Sequence, residues 1–202
     1  MKTIGGVDLR LNNVQGRTLK KLSFKHTDLR RSLFSASKLE SCEFKSARLD
    51  GTVILNANLN NCFFQAAHLT GINAKNSNFE DCRALRTHAA GSTFENVTID
   101  DTHIEYFYGP GISFKGVEIR NCSFTMSQLF AIDLSDTIVI NSSFQSVDLR
   151  FASFRGAELI NVSFCDTLTT GLSASNDTTL RDCAGINFKN LTSGNEDFWH
   201  FI

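Results

Sequence analysis

A large apolar side chain recurs at every fifth residue, in one unbroken phase, from Leu9 to Phe164. The run begins Leu9, Val14, Leu19, Phe24, Leu29, Phe34, Leu39, Phe44 and ends Leu149, Phe154, Leu159, Phe164. Only four slots, Ala74, Ala84, Ala89 and Gly109, lack a large apolar group. At 42% hydrophobic composition chance would fill about two slots in five, so the period is real. A period of five matches neither a helix nor a flat strand. It predicts a solenoid of short repeats that bury one side chain in each unit.

A second inward position lies two residues before each centre. It is small and often hydroxylated, as in Thr27, Ser32, Ser37, Cys42, Ala47 and Thr52. The other three positions of each unit are mainly polar. Residues twenty apart also look alike. Phe24, Phe44 and Phe64 form one column, continued by Phe124, Phe144 and Phe164. Gly51, Gly71, Gly91 and Gly111 form a corner column, and Asn61, Asp81, Asp101, Asn121, Asn141 and Asn161 form another. Glycine suits corners with unusual dihedrals, and Asn and Asp bond nearby backbone in turns. These columns fit a coil of twenty residues, four units long.

Segments such as Ala47-Arg48-Leu49-Asp50-Gly51, Ala57-Asn58-Leu59-Asn60-Asn61 and Ala157-Glu158-Leu159 resemble the pentapeptide-repeat family, with its A-(D/N)-L-x-x pattern. The resemblance implies an all-β fold, a right-handed quadrilateral parallel β-helix. About eight coils spaced ~4.8 Å apart would make a rod on the order of 38 Å long. The solenoid is expected over residues 1–168, with 1–22 as an N-terminal cap coil because Asn12 and Arg17 fall in inward slots. Residues 169–202 are expected to form an irregular coil and a cap or dimerisation tail.

Charge is nearly balanced, at −1, but unevenly spread. Residues 1–50 carry an excess of Lys and Arg, concentrated in Lys20, Lys21, Lys25, Arg30 and Arg31, and the remainder is acidic. No apolar run approaches the ~18 residues of a membrane span. The N-terminus lacks the long apolar stretch of a secretory signal, so a cytoplasmic location is the default, with secretion by other signals left open. Cys42, Cys62, Cys82 and Cys122 share one inward column. Stacked side chains pointing the same way make poor disulfides, so these read as small buried groups. The Asn-x-Ser triplets at Asn121, Asn141 and Asn161 are by-products of an Asn corner followed by a small slot.

Faults in a regular array are where a function can be placed. Ala74 follows Ile72 and Gly109 follows Phe107, so lost bulk is restored in the neighbouring slot. Ala84 and Ala89 have no such repair, and residues 83–91 are expected to bulge or loop. Glu105-Tyr106-Phe107-Tyr108-Gly109-Pro110-Gly111, with both tyrosines and the sole proline, lies one coil further on. Arg83, Arg86, His88, His103, Tyr106 and Tyr108 therefore cluster as a candidate protein-binding surface, since Tyr and Arg are enriched at binding hot spots. His68 and His88 stack in one column, yet no third metal ligand joins them, and no metal or cofactor is expected. The chain closes on Phe198, Trp199, Phe201 and Ile202, a candidate dimer contact if they do not cap the last coil.

No nucleophile–base set, phosphate loop or paired cysteine motif appears, so catalysis is not expected. The reading favoured is a non-catalytic protein-interaction scaffold with a protein partner, and direct nucleic-acid binding is not expected. The resemblance adds two functional models. Some family members act as effectors that pathogenic bacteria deliver into host cells. Others mimic a DNA duplex and protect or inhibit type II topoisomerases such as DNA gyrase. Phe63, Phe130, Ile138, Ile140 and Phe151 are expected on the surface, with Phe130 and Phe151 near neighbours.

Overall fold

The computed structural model describes residues 1–186. Its strands are short and all paired in parallel. Each coil presents four faces, numbered here in chain order from the Phe24 side. Face one is centred on Phe24, Phe44 and Phe64, face two on Leu29, Leu49 and Leu69. Face three is centred on Phe34 and Ile54, face four on Leu39 and Leu59. Face four carries nine strands, from Thr18–Lys20 to Thr179–Arg181. Face two is held by single bridges that climb Asp8, Asp28, Arg48, His68, His88, Tyr108, Gln128, Asp148 and Leu168.

The five-residue register sets this geometry. One residue per unit takes a left-handed conformation, for example Asn61 at φ 50°, Asn121 at φ 52° and Gly111 at φ 63°. That turn redirects the chain onto the next face. Centres point inward and stack on their equivalents one coil away. Phe124, Phe144 and Phe164 lie in a parallel stack, with ring centroids 4.7 and 5.2 Å apart.

The small slot does more than save space. Its hydroxyl or thiol donates to a carbonyl of the preceding coil. Thr52 Oγ1 reaches Leu29 O at 3.0 Å, Thr137 Oγ1 reaches Phe114 O at 2.9 Å and Cys122 Sγ reaches Ile99 O at 3.4 Å. Ser, Thr and Cys are thus small enough for the slot and satisfy a buried carbonyl. Cys42, Cys62, Cys82 and Cys122 are buried free thiols. Burial pushes the Cys122 thiol up to about 11. Cys165 is exposed. A thiol reagent should therefore label Cys165 at once and the four column cysteines only after denaturation. Rapid native labelling of those four would contradict the inward column.

A ninth coil follows the eight, within the segment from residue 169 on where an irregular coil is expected. Register continues beyond Phe164, with Ser153 opposite Ser173, and then slips by one residue so that Leu159 faces Leu180. The extra residue is absorbed in the turn at Ser175–Thr178, where Thr178 N donates to Ser175 O at 2.9 Å. Thr178 Oγ1 still reaches Phe154 O at 2.8 Å, so the slot bond survives the slip.

The bulge expected at residues 83–91 does not form. Arg83–Leu85 pairs in register with His103–Glu105. Arg83 N donates to Cys62 O at 3.0 Å and His88 N to Ala67 O at 3.0 Å. These ladder bonds join main chain to main chain and do not require a large centre. Ala89 is fully buried, while Ala84 is only half-buried and leaves the core locally thin. At Gly109 the expected repair is present: a Cβ there would meet the Phe107 ring at 2.7 Å. Pro110 is accommodated because the equivalent amides of Arg30 and Arg150 donate to an Asp side chain, not to the ladder.

Candidate binding surface

Arg83, Arg86, His88, His103, Tyr106 and Tyr108 are all exposed, and two adjacent coils bring them together. Arg83 and His103 are direct neighbours on face one. Arg86 and Tyr106 stand on the edge between faces one and two, and His88 and Tyr108 on face two. The Arg86 guanidinium lies over the Tyr106 ring, 5.8 Å from its centroid. The His88 ring is stacked on His68 at 5.4 Å and tilted against Tyr108 at 5.7 Å. His103 Nδ1 is 2.8 Å from Ser123 Oγ.

Two of these residues occupy costly backbone positions. Arg86 has φ 53° and Tyr106 φ 49°. Left-handed geometry costs a side-chain-bearing residue roughly 1–2 kcal/mol. Gly6, Ser46 and Ser146 hold the same edge elsewhere, so bulky side chains there are not required by the turn. Sequence reasoning missed Met126, which continues this edge above Tyr106 at φ 47° and is exposed. The twenty-residue column through Arg86 and Tyr106 was the signal that points to it.

A second feature also escaped the sequence. Asp28 accepts from Arg30 Nε and Nη2 at 2.9 and 2.6 Å, and Asp148 accepts from Arg150 at 2.9 and 2.7 Å. A similar clamp joins Asp8 to Arg10. These ion pairs hold both ends of face two. Between Asp28 and Asp148 the same column reads Arg48, His68, His88, Tyr108, Gln128. The candidate surface thus lies where the carboxylate–guanidinium clamps give way to stacked rings.

The clamps make stability pH-dependent. Hydrogen bonds from Arg30 and Arg150 hold Asp28 and Asp148 below the usual carboxylate range. A carboxylate with a lowered folded pKa contributes fully above its unfolded value, about 3.9, and loses that contribution as pH falls through the folded value. The urea midpoint should therefore fall on acidification below about pH 4. Asp148→Asn should show a shallower fall, and an equal slope in both proteins would contradict this assignment.

The remaining expectations meet the structure unevenly. Phe130, Ile138 and Phe151 are exposed, but Phe63 and Ile140 are half-buried beside their ladder neighbours. Part of the basic N-terminal group is internally neutralised. Lys20 pairs with Glu40 at 2.8 Å and Lys25 with Glu43 at 3.1 Å. Among the described residues no three His, Cys, Asp or Glu side chains converge as a metal site. Nor is any helix among them long and apolar enough to cross a membrane. Phe198, Trp199, Phe201 and Ile202 lie outside the described residues.

The coil geometry and the repeat columns define a parallel β-helix of pentapeptides. Residues 27–65 and 127–166 match the profile of the pentapeptide repeats in eight copies. Both of these segments are pentapeptide repeats. No curated protein matches its sequence. Among solved structures, a trypsin-treated variant of QnrB1, a plasmid-mediated fluoroquinolone resistance protein, is similar with a TM-score of 0.68 at 16% identity. The match covers 87% of this chain and 90% of that one. HetL, a pentapeptide-repeat protein involved in heterocyst differentiation regulation from the cyanobacterium Nostoc, is matched at TM-score 0.48 and 16% identity, over 89% of this chain and 87% of that one.

Proposed function

We propose that this chain is a non-catalytic scaffold that binds a partner protein through Arg83, Arg86, His88, His103, Tyr106 and Tyr108. The carrying observation is the Arg86–Tyr106 pair, two bulky residues in contact and exposed on adjoining corners beside the His88–Tyr108 stack. Tyrosine and arginine also supply large contact area with polar ends, which suits a rigid outer surface. The partner fits the effector model, in which a host protein is bound.

The test is affinity capture from host-cell and bacterial lysates with the wild type and the Tyr106→Ala/Tyr108→Ala variant side by side. A host protein retained by the first and lost from the folded second supports the proposal. Identical captured sets contradict it.

A second reading is DNA mimicry, with protection of a type II topoisomerase such as DNA gyrase. The likeness to QnrB1 and the group Glu80, Asp81, Asp100 and Asp101 along one edge favour it. Charge opposes it. A duplex as long as nine coils, ~43 Å, carries about 25 charges at one per ~1.7 Å, against a net −1 here. Supercoiling by gyrase in the presence of a fluoroquinolone decides the matter. Rescue on adding this protein would establish the second reading, and no rescue would remove it.

A further inference from the structure

One coil is short of core side chains. Of its four centres, Ala74, Phe79, Ala84 and Ala89, three are alanine. Two of the three are covered. Ile72 fills the slot beside Ala74, and Ala89 lies one coil below the Phe107 ring, which crowds the Gly109 centre. Both alanines are 0% exposed. Ala84 has no such cover. Its slot neighbour is the small Cys82, and it stands between Phe64 and Ile104 in its column. From Phe24 to Phe164 only two centres are half-buried, Phe79 and Ala84, and they are consecutive. Their exposure faces inward. The main chain supplies none of it, because Ala74 and Ala89 hold equivalent places and show none. The wall over them is closed. Phe79 pairs in register with Leu59 and Ile99, and Ala84 with Ile104. Asp81 N donates to Asp100 O at 3.1 Å, Arg83 N to Cys62 O at 3.0 Å and Cys82 N to Thr102 Oγ1 at 3.2 Å.

The side chains around this point share the exposure. Phe64, Leu69, Phe94, Ile104 and Phe107 keep 5–8%, whereas Phe124, Phe144 and Phe164 keep 1%. Accessible surface behind a closed wall is the lining of an internal void. Its walls are aromatic and aliphatic, and the polar groups nearest to it are already engaged. Cys82 Sγ donates to Glu80 O at 3.4 Å, Thr102 Oγ1 to Asp100 O at 2.9 Å and Thr87 Oγ1 to Phe64 O. Water settles in a cavity only where polar partners hold it, and an apolar cavity stays dry and takes apolar guests. The facing side chains also lack dispersion partners across the gap, which such a guest would supply. We infer that the void at Ala84 is a binding site for a small, uncharged, apolar molecule of the size of a xenon atom. The site stands apart from the partner-binding reading, because it lies behind the strand Arg83–Leu85 and the proposed protein contact lies in front of it.

Xenon itself is the probe. The experiment titrates dissolved xenon into the full chain and into Ala84→Phe and Ala84→Leu, and follows the protein's amide resonances. Ala84→Phe restores the residue that Phe64 and Phe124 hold in the same column, and Ala84→Leu fills the space with a smaller group. A urea curve shows whether each variant is folded. The expected result in the wild type is a saturating shift of the Phe64, Ala84 and Ile104 amides, with the Phe144 amide unmoved. In the folded variants those shifts should shrink severalfold or vanish. Shifts absent from the wild type would overturn the inference. So would shifts of equal size in the wild type and both variants, which would place the xenon elsewhere. A response that grows in proportion to xenon without saturating would mark general surface contact and overturn it equally. Failure of both variants to fold would mean that Ala84 faces no space to fill, with the same consequence.

Discussion

Phe144→Ala should cost about 3–5 kcal/mol of folding stability. Phe144 is buried and stacked between Phe124 and Phe164, with interplanar angles of 7° on both sides. Truncation removes one ring's transfer free energy and leaves a gap that rigid ladders on either side cannot close. Aromatic stacking adds about 0.5–1.5 kcal/mol per pair beyond the buried area, and this substitution breaks two pairs. Phe144→Leu keeps most of the volume and should cost less. Urea unfolding of the two variants against the wild type checks the order. Stability in a solenoid is close to a sum of coil and neighbour terms, so loss at one rung should destabilise the coils on both sides. An unchanged midpoint in Phe144→Ala would remove the inward Phe column from the account.

The second large effect falls on binding and spares the fold. Tyr106 and Tyr108 are exposed and contribute nothing to the core cluster. Hot-spot truncations cost about 2 kcal/mol or more each. Replacing both by Ala should therefore weaken the captured partner roughly a thousandfold, since each 1.4 kcal/mol is a factor of about ten. Both side chains are exposed and Ala keeps the same Cβ at the Tyr106 corner, so the variant should unfold close to the wild type. Calorimetric titration with the captured partner, beside a urea curve, separates the two effects. Equal affinity would show that the tyrosines are not the contact.

The five-residue register, the twenty-residue columns and the inward cysteines were legible because each is a property of side chains at fixed spacing. The compensation of Gly109 by Phe107 was legible for the same reason. The bulge at residues 83–91 was a misreading with an instructive cause. Ala84 and Ala89 look like lost anchors if the centres hold the coil. The amides of Arg83 and His88 hold it instead, and no side-chain pattern reports their bonds. The Asp28–Arg30 and Asp148–Arg150 clamps were missed because both partners fall on outward positions that the period treats as filler. The ninth coil was legible only as an irregular one, because a one-residue slip at Ser175–Thr178 breaks the phase without breaking the ladder. The grouping of Arg83, Arg86, His88, His103, Tyr106 and Tyr108 could be seen from spacing. Its left-handed corners and the Arg86–Tyr106 contact required the coordinates.

The central claim is that the candidate surface is carried by an unbroken coil, so that its side chains are held rigidly on the outside of an intact core. Hydrogen exchange measured amide by amide tests it most directly. The account predicts that the amides of Arg83, His88, His103 and Tyr108 exchange as slowly as those of Ser143 and Asp148, which make equivalent ladder bonds. Fast exchange confined to residues 83–111 would mean a loop in place of a coil, and would contradict the account.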